Sequence, residues 1–246
     1  MVIIMSKTPI GIQLFSVRDG MEKDFEGTLA KVSELGYNSV ETAGFYGHSA
    51  DEVNALLKKY NLELSGTHSS FDDLVNNYDE TVAFHKAIGN KYYIIPGYDL
   101  SSQDKLDRFV ELVNPISDKL AKEGITLCYH NHEHEFIARE NGEVVYEQLL
   151  YRTNLKMEVD TYWAFVGMKN PLGLLKRLGN RVIFVHIKDG SAEGNGTPLG
   201  LGAAPVKDVV DYVKQQGIPM VVESETCKPS GLDEAEICIN YLNSIL

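Results

Sequence analysis

Short apolar runs alternate along the chain with longer amphipathic stretches. Runs at 10–15, 39–42, 63–68, 92–96, 125–131, 155–160, 182–187 and 220–224 are rich in Val, Ile, Tyr and Thr and predict strands. Helical patterns fall between them at 25–35, 50–60, 78–88, 102–123, 171–178, 205–216 and 233–245. Most of these stop at a glycine (Gly36, Gly89, Gly124, Gly179, Gly217) and one at Asn61, residues that close a helix in the left-handed conformation. The recurring unit is helix, Gly, strand, as in LGYNSVE, EGITLCYH and LGNRVIFVH.

Repeated βα units imply a parallel sheet. Eight of them in a chain of 246 residues predict an α/β fold, a single (β/α)8 TIM barrel. The competing topology is a doubly wound open sheet, whose dinucleotide form carries GxGxxG after strand one; here SVRDG follows instead. No composition shift marks a second domain, so residues 1–246 read as one barrel domain, with 1–8 as a disordered or extended N-terminal segment.

Composition narrows the function classes. With 43% hydrophobic residues the chain is not of the disordered type. No apolar run reaches the length of a membrane span. Net charge is −12, from 35 acidic and 23 basic residues, which disfavours a nucleic-acid backbone or an anionic membrane as partner. Cys128, Cys227 and Cys238 form no CxxC pair; an odd number of reduced thiols and no leader-like N-terminus predict a cytoplasmic protein.

In such barrels the site lies at the carboxyl ends of the strands. Here those ends carry Gln13, Glu41, His68, then His130 with His132, then Glu158 and Asp160, then His186 with Lys188, then Glu223 and Glu225. Side chains alternate along a strand, so Thr126, Cys128, His130 and His132 share one face, predicted inward, with Ile125, Leu127, Tyr129 and Asn131 on the other. Each residue alone has a plainer reading. Asp160 suits a helix cap, Glu158 suits a partner for a barrel cation, and His68 and His134 suit simple hydrogen bonding. Asp160, His186 and Glu223 together at one mouth would be costly to bury. A divalent cation removes that cost, and mixed imidazole and carboxylate ligands favour Mn, Zn, Co or Fe over Ca. His132-Glu133-His134 is not HExxH, and the segment GNGTPLGLGAAP is neither a Walker loop nor a complete GxGxxG; it reads as a plain loop.

The segments GIQLFSVRD, GYNSVE, YHNHEHEF, MEVDTYWA, FVHIKD and VVESE together resemble the xylose isomerase-like TIM-barrel family of sugar phosphate isomerases and epimerases. The resemblance runs from about residue 9 to the C-terminus. It implies one divalent metal, of the set Mn, Zn, Co, Fe or Mg, held by strand-end ligands. Asp160, His186 and Glu223 match three family ligands, and His130 stands where the family carries Glu. His132 matches an active-site histidine of some members, and Trp163 resembles an aromatic that lines the sugar pocket.

The implied activity is proton abstraction beside a carbonyl of a keto sugar. His132 or Glu223 would be the base and Lys188 would stabilise the enediolate. Gln13, Glu41, His68, Trp163 and Glu225 would contact the substrate. The YHNH segment resembles the branch near inosose dehydratases and enzymes acting on 3-keto sugars, so a lyase or dehydratase is the alternative reaction. A phosphodiesterase of the same superfamily and a non-catalytic carbohydrate-binding barrel are alternatives of other classes. The expected partner is a small sugar, weakly favoured as unphosphorylated because no Arg or Lys set gathers at the strand ends. Barrels of this kind often pair, which allows a homodimer.

Overall fold

Helices end where the chain can turn left-handed: Gly36 follows the helix Phe25–Leu35 with φ 102°, and Asn61 stands just beyond Ala50–Lys59 with φ 52°. Each such stop releases the chain into a strand. The computed structural model describes residues 9–246 and closes eight parallel strands into a barrel in chain order. These are Ile10–Gln13, Ser39–Ala43, Glu63–His68, Tyr92–Ile95, Thr126–His130, Lys156–Asp160, Val182–Ile187 and Met220–Val222. The first pairs with both the second and the eighth, which leaves no edge. The fold is the predicted (β/α)8 barrel, and the doubly wound alternative is excluded by that closure. The expectation for residues 1–8 lies outside the described residues.

Strand one is shorter than expected. After Gln13 the chain turns into a 3-10 segment, Leu14–Val17, capped by the Gln13 side chain, which accepts from the Phe15 amide. Helices Val145–Arg152 and Thr161–Met168 complete units that the apolar pattern left open. No helix among the described residues is long and apolar enough to cross a membrane.

The two faces of the barrel wall differ. Leu127, Tyr129, Met157, Val159, Val185 and Ile187 belong to the large core between strands and helices. Burial of each such side chain contributes roughly 1.5–3 kcal/mol. Ile94, Cys128, Phe184 and Val221 form a separate apolar plug inside the barrel. Cys128 therefore faces inward, as the alternation along strand five predicts.

Two irregularities govern what reaches the interior. Val40 pairs with Leu64 but Glu41 pairs with Gly66, so strand three carries one extra residue, Ser65. Met157 pairs with Val182 but Glu158 pairs with Phe184, so strand seven carries one extra residue, Ile183. A single inserted residue inverts the facing of everything after it. Leu64 and Val182 pack outward with the large core, yet His68 and His186 face inward.

Candidate metal centre and active site

The inward positions beyond the plug are ionisable. His130 Nε2 lies 3.7 Å from Asp160 Oδ2 and 3.8 Å from Glu223 Oε2, and His186 Nδ1 lies 3.3 Å from Glu223 Oε2. The candidate ligand atoms of these four residues all fall within 4.8 Å of one another. They are the set expected from the sequence. Asp160 serves two purposes at once. Its Oδ1 caps helix Thr161–Met168 by accepting from the Trp163 amide at 2.8 Å, and its Oδ2 has no partner. Both ring nitrogens of His130 are also buried without partners. Orphaned buried atoms of this kind are rare and costly in the absence of a ligand. The donor set, two imidazoles and two carboxylates, fits a divalent transition ion.

Charge follows the same geometry. Burial pushes the Asp160 carboxyl up to about 7, against the pull of the Lys188 ammonium. Burial also works to raise Glu223, but Lys188 and His186 outweigh it and hold that carboxyl well below the usual range. Burial, with His68 and His186 adding to it, keeps His130 well below the ordinary histidine value, so one ring nitrogen offers a free lone pair. Lys188 Nζ lies 2.6 Å from Glu225 Oε1, 3.3 Å from Glu223 Oε2 and 3.8 Å from Asp160 Oδ2, and 4.5 Å above the Trp163 ring.

His132 stands apart from the cage. Burial holds its ring below the ordinary histidine value, and Nδ1 is unpartnered. Its ring lines a cavity of about 300 Å³ together with His68, His130, Glu223, Glu225 and Phe15. Trp163 lies 6.1 Å away, ring centre to ring centre, with a buried, unpartnered Nε1.

Of the remaining expected contacts, His68 reaches the cavity wall, while Gln13 and Glu41 sit deeper. Gln13 is wholly buried, and both ends of its amide are engaged, by the Phe15 amide and by Glu41 Oε1 at 2.6 Å. Glu41 and His68 join Glu158 and His186 in a second cluster below the first. In that cluster the two carboxylates surround two imidazoles. Burial works against the charge of His68, but Glu41 and Glu158 outweigh it and bring the ring to about 10.

Glu158, read from the sequence as a partner for a barrel cation, lies 2.6 Å from His68 Nε2 and 3.2 Å from His186 Nε2. Two residues went unassigned in the sequence. Glu135, fully buried, accepts from the His132 amide at 2.8 Å and from the Tyr129 hydroxyl at 2.7 Å, and so shapes the turn that presents His132. Asp189 organises the glycine-rich segment: its carboxylate accepts from the amides of Gly190, Gly200, Gly202 and Ala204. The amides that would cradle a phosphate are thus already used, so the segment is a structured rim rather than an anion site. A Cβ on Gly202 would collide with Asp189 and with the Gly190 backbone, which explains the glycine there. His134 is exposed, and His85 is buried against Thr67 and Asn90.

Comparison with known proteins follows the same lines. The model of the family described as xylose isomerase-like TIM barrel matches residues 29–242. An inosose dehydratase of Mesomycoplasma hyopneumoniae is 23% identical over 194 residues, 69% of this chain and 64% of that protein. The match thus spans a little under two thirds of the curated relative. A sugar phosphate isomerase/epimerase from Parabacteroides distasonis superposes with a TM-score of 0.82 at 23% identity, over 96% of this chain and 98% of that one. The probable 3-DHS dehydratase of Bacillus anthracis superposes with a TM-score of 0.75 at 14% identity, over 96% and 99%. At these identities the solved structures agree with the chain in fold.

Proposed function

The chain belongs to the xylose isomerase-like TIM barrel family, and from that premise we propose that it is a divalent-metal-dependent sugar isomerase or epimerase. The observation that carries this reading is the set of orphaned buried atoms, His130 Nδ1 and Nε2 with Asp160 Oδ2, facing His186 and Glu223 beside a cavity of about 300 Å³. His130, Asp160, His186 and Glu223 would hold the ion. Bound there, a divalent cation supplies Lewis-acid polarisation of a sugar carbonyl.

The protein's own groups do the rest. His132, kept neutral by burial, takes the proton from the carbon beside that carbonyl. The Lys188 ammonium faces the negative charge that develops on oxygen. Trp163 and Phe15 offer apolar surface to the ring, and Glu225 anchors Lys188 from the rim. Cys128, Cys227 and Cys238 are all free, which fits a cytoplasmic enzyme acting on a small sugar, alone or as a homodimer.

A second reading, a lyase or dehydratase of a 3-keto sugar or inosose, is favoured by one feature. Of the four expected contacts on strands one to three and eight, Gln13 and Glu41 are sealed from the cavity, and with His130 assigned to the ion, His132 is the neutral imidazole left at its wall. A single base with a cationic partner suits elimination as well as exchange. The inosose dehydratase similarity points the same way.

The test is proton exchange from keto sugars and 3-keto glycosides in deuterium oxide, followed by NMR on metal-loaded protein. Deuterium entering with all hydroxyls retained supports isomerisation or epimerisation. Loss of water with a new conjugated absorbance supports the dehydratase. Sugar binding with neither outcome would refute both and leave a carbohydrate-binding barrel.

A further inference from the structure

The cluster beneath the outer cage makes two hydrogen bonds, His68 to Glu158 and His186 to Glu41, and they leave its geometry incompletely used. Its four atoms alternate nitrogen and oxygen in a closed ring. Glu41 Oε1 lies 3.1 Å from His68 Nε2, which lies 2.6 Å from Glu158 Oε2. That oxygen lies 3.2 Å from His186 Nε2, which closes the ring to Glu41 Oε1 at 2.9 Å. Each Nε2 carries at most one hydrogen. Two hydrogens are therefore available for four short N···O contacts. We propose that this ring, Glu41, His68, Glu158 and the far nitrogen of His186, is a second divalent-cation site. The proposal rests on the outer cage being a metal site only in that the two share His186.

Three observations support a cation here. An ion at the middle of a ring with such edges lies about 2 Å from every atom, the bond length of zinc to imidazole and carboxylate. Glu41 Oε2 and Glu158 Oε1 are buried with no partner, so neither carboxylate is satisfied by its neighbours. Glu41, Glu158 and His186 are fully buried, and His68 has only 8% of its side chain exposed. Two carboxylates in that setting need two positive charges; without an ion the protonated rings of His68 and His186 supply them, and one divalent ion would take the place of both protons.

The backbone is built for the ring. The extra residues Ser65 and Ile183 fall immediately before the inward segments that bring His68 and His186 into line with Glu41 and with Glu158 and Asp160. Bulges beside a site re-aim side chains, and both histidines of the ring depend on one. Gln13 Nε2 donates to Glu41 Oε1 at 2.6 Å, the kind of outer contact that orients a ligating carboxylate.

Four oxygen and nitrogen donors in a tight ring suit zinc, cobalt or manganese rather than calcium, which takes six to eight oxygens. His186 faces the outer cage with Nδ1 and the ring with Nε2. With one ion bound, the other nitrogen keeps its proton and donates it to the facing carboxylate. With two, the imidazole releases that proton to solvent and bridges the ions, so the second binds more weakly than the first.

Cobalt(II) tests this, counted per chain by elemental analysis after gel filtration and followed by its visible absorption. The wild type is expected to take two ions in two phases. The pair Glu158→Gln with His68→Asn should take one and keep the spectrum of the outer cage. The pair Asp160→Asn with His130→Ala should take one with a different spectrum. One ion in the wild type and one in each pair, with two distinct spectra, also supports the ring, as sites filled in exclusion.

A single ion that survives Glu158→Gln with His68→Asn unchanged, and is lost in the other pair, overturns the ring and spares the outer site. The reverse pattern keeps the ring and overturns the outer assignment. No cobalt in any form overturns both. Circular dichroism checks folding. Should the double variant not fold, His68→Gln alone serves, since two cobalt ions retained in it with both wild-type spectra overturn the ring.

Discussion

Two levels of the barrel interior share the same strands and the same facing, two residues apart. Ile94, Cys128, Phe184 and Val221 make the lower level, and Cys128, Phe184 and Val221 are followed by His130, His186 and Glu223 in the upper. The lower level is closed apolar packing that needs nothing but its neighbours. The upper level is a set of ionisable groups whose bonding is incomplete. The difference teaches that the plug holds the strands in register while the layer above stores unsatisfied chemistry, at a cost a real protein bears where it functions.

Removing one residue from each level should separate those tasks. His186→Ala is expected to lower activity by about 10⁴-fold or more, equivalent to over about 5 kcal/mol of transition-state stabilisation. Metal content should fall with it. Near-normal turnover and cobalt uptake in that variant would dissolve the distinction between levels. Phe184→Ala should do the opposite. It opens a void in the plug and should cost about 3–5 kcal/mol by denaturant titration. At low temperature the variant that remains folded should still bind metal.

Two histidines sharpen the contrast through pH. Burial alone depresses His85 to about 4, so it is neutral in the fold and must gain a proton on acid unfolding. Its contribution is full above about 6.5 and lost as pH falls through about 4, up to about 3 kcal/mol. His68 runs the other way. Burial opposes its charge, but Glu41 and Glu158 outweigh burial and bring it to about 10. In metal-free protein its contribution is full below about 6.5 and lost as pH rises through about 10. Stability measured against pH should therefore lose its acid limb in His85→Gln and its alkaline limb in His68→Gln. Swapped limbs would contradict both assignments.

The smallest effect should come from the rim. Asp189→Asn weakens the four amide contacts that shape the glycine-rich loop. KM should rise about tenfold, roughly 1.4 kcal/mol, with kcat and metal content retained. A drop in metal content instead would mean that the loop supports the cage.

Much of this was legible in the sequence. The glycine stops located the strands, and the alternation of Cys128, His130 and His132 placed strand five correctly. Asp160, His186 and Glu223 were brought together with His130 as expected. What escaped was set by three-dimensional context. Ser65 and Ile183 are ordinary strand residues, so nothing in their chemistry announces a bulge, and without the bulges the facing of His68 and His186 is undetermined. Helix Thr161–Met168 is apolar nearly all round, so it shows no helical period to read. Gln13 and Glu41 were read as hydroxyl contacts because strand ends look alike in sequence, whether they meet the cavity, as His68 does, or the layer beneath it.

The carboxylate of Asp189 has a consequence for how a substrate arrives. The loop carries its own anion, so its amides are satisfied before any ligand comes. The disorder of this loop was spent at folding, not at binding. For the sugar proposed above, association would need no settling of the loop, and affinity would reflect the contacts proposed with Trp163, Lys188 and the cage.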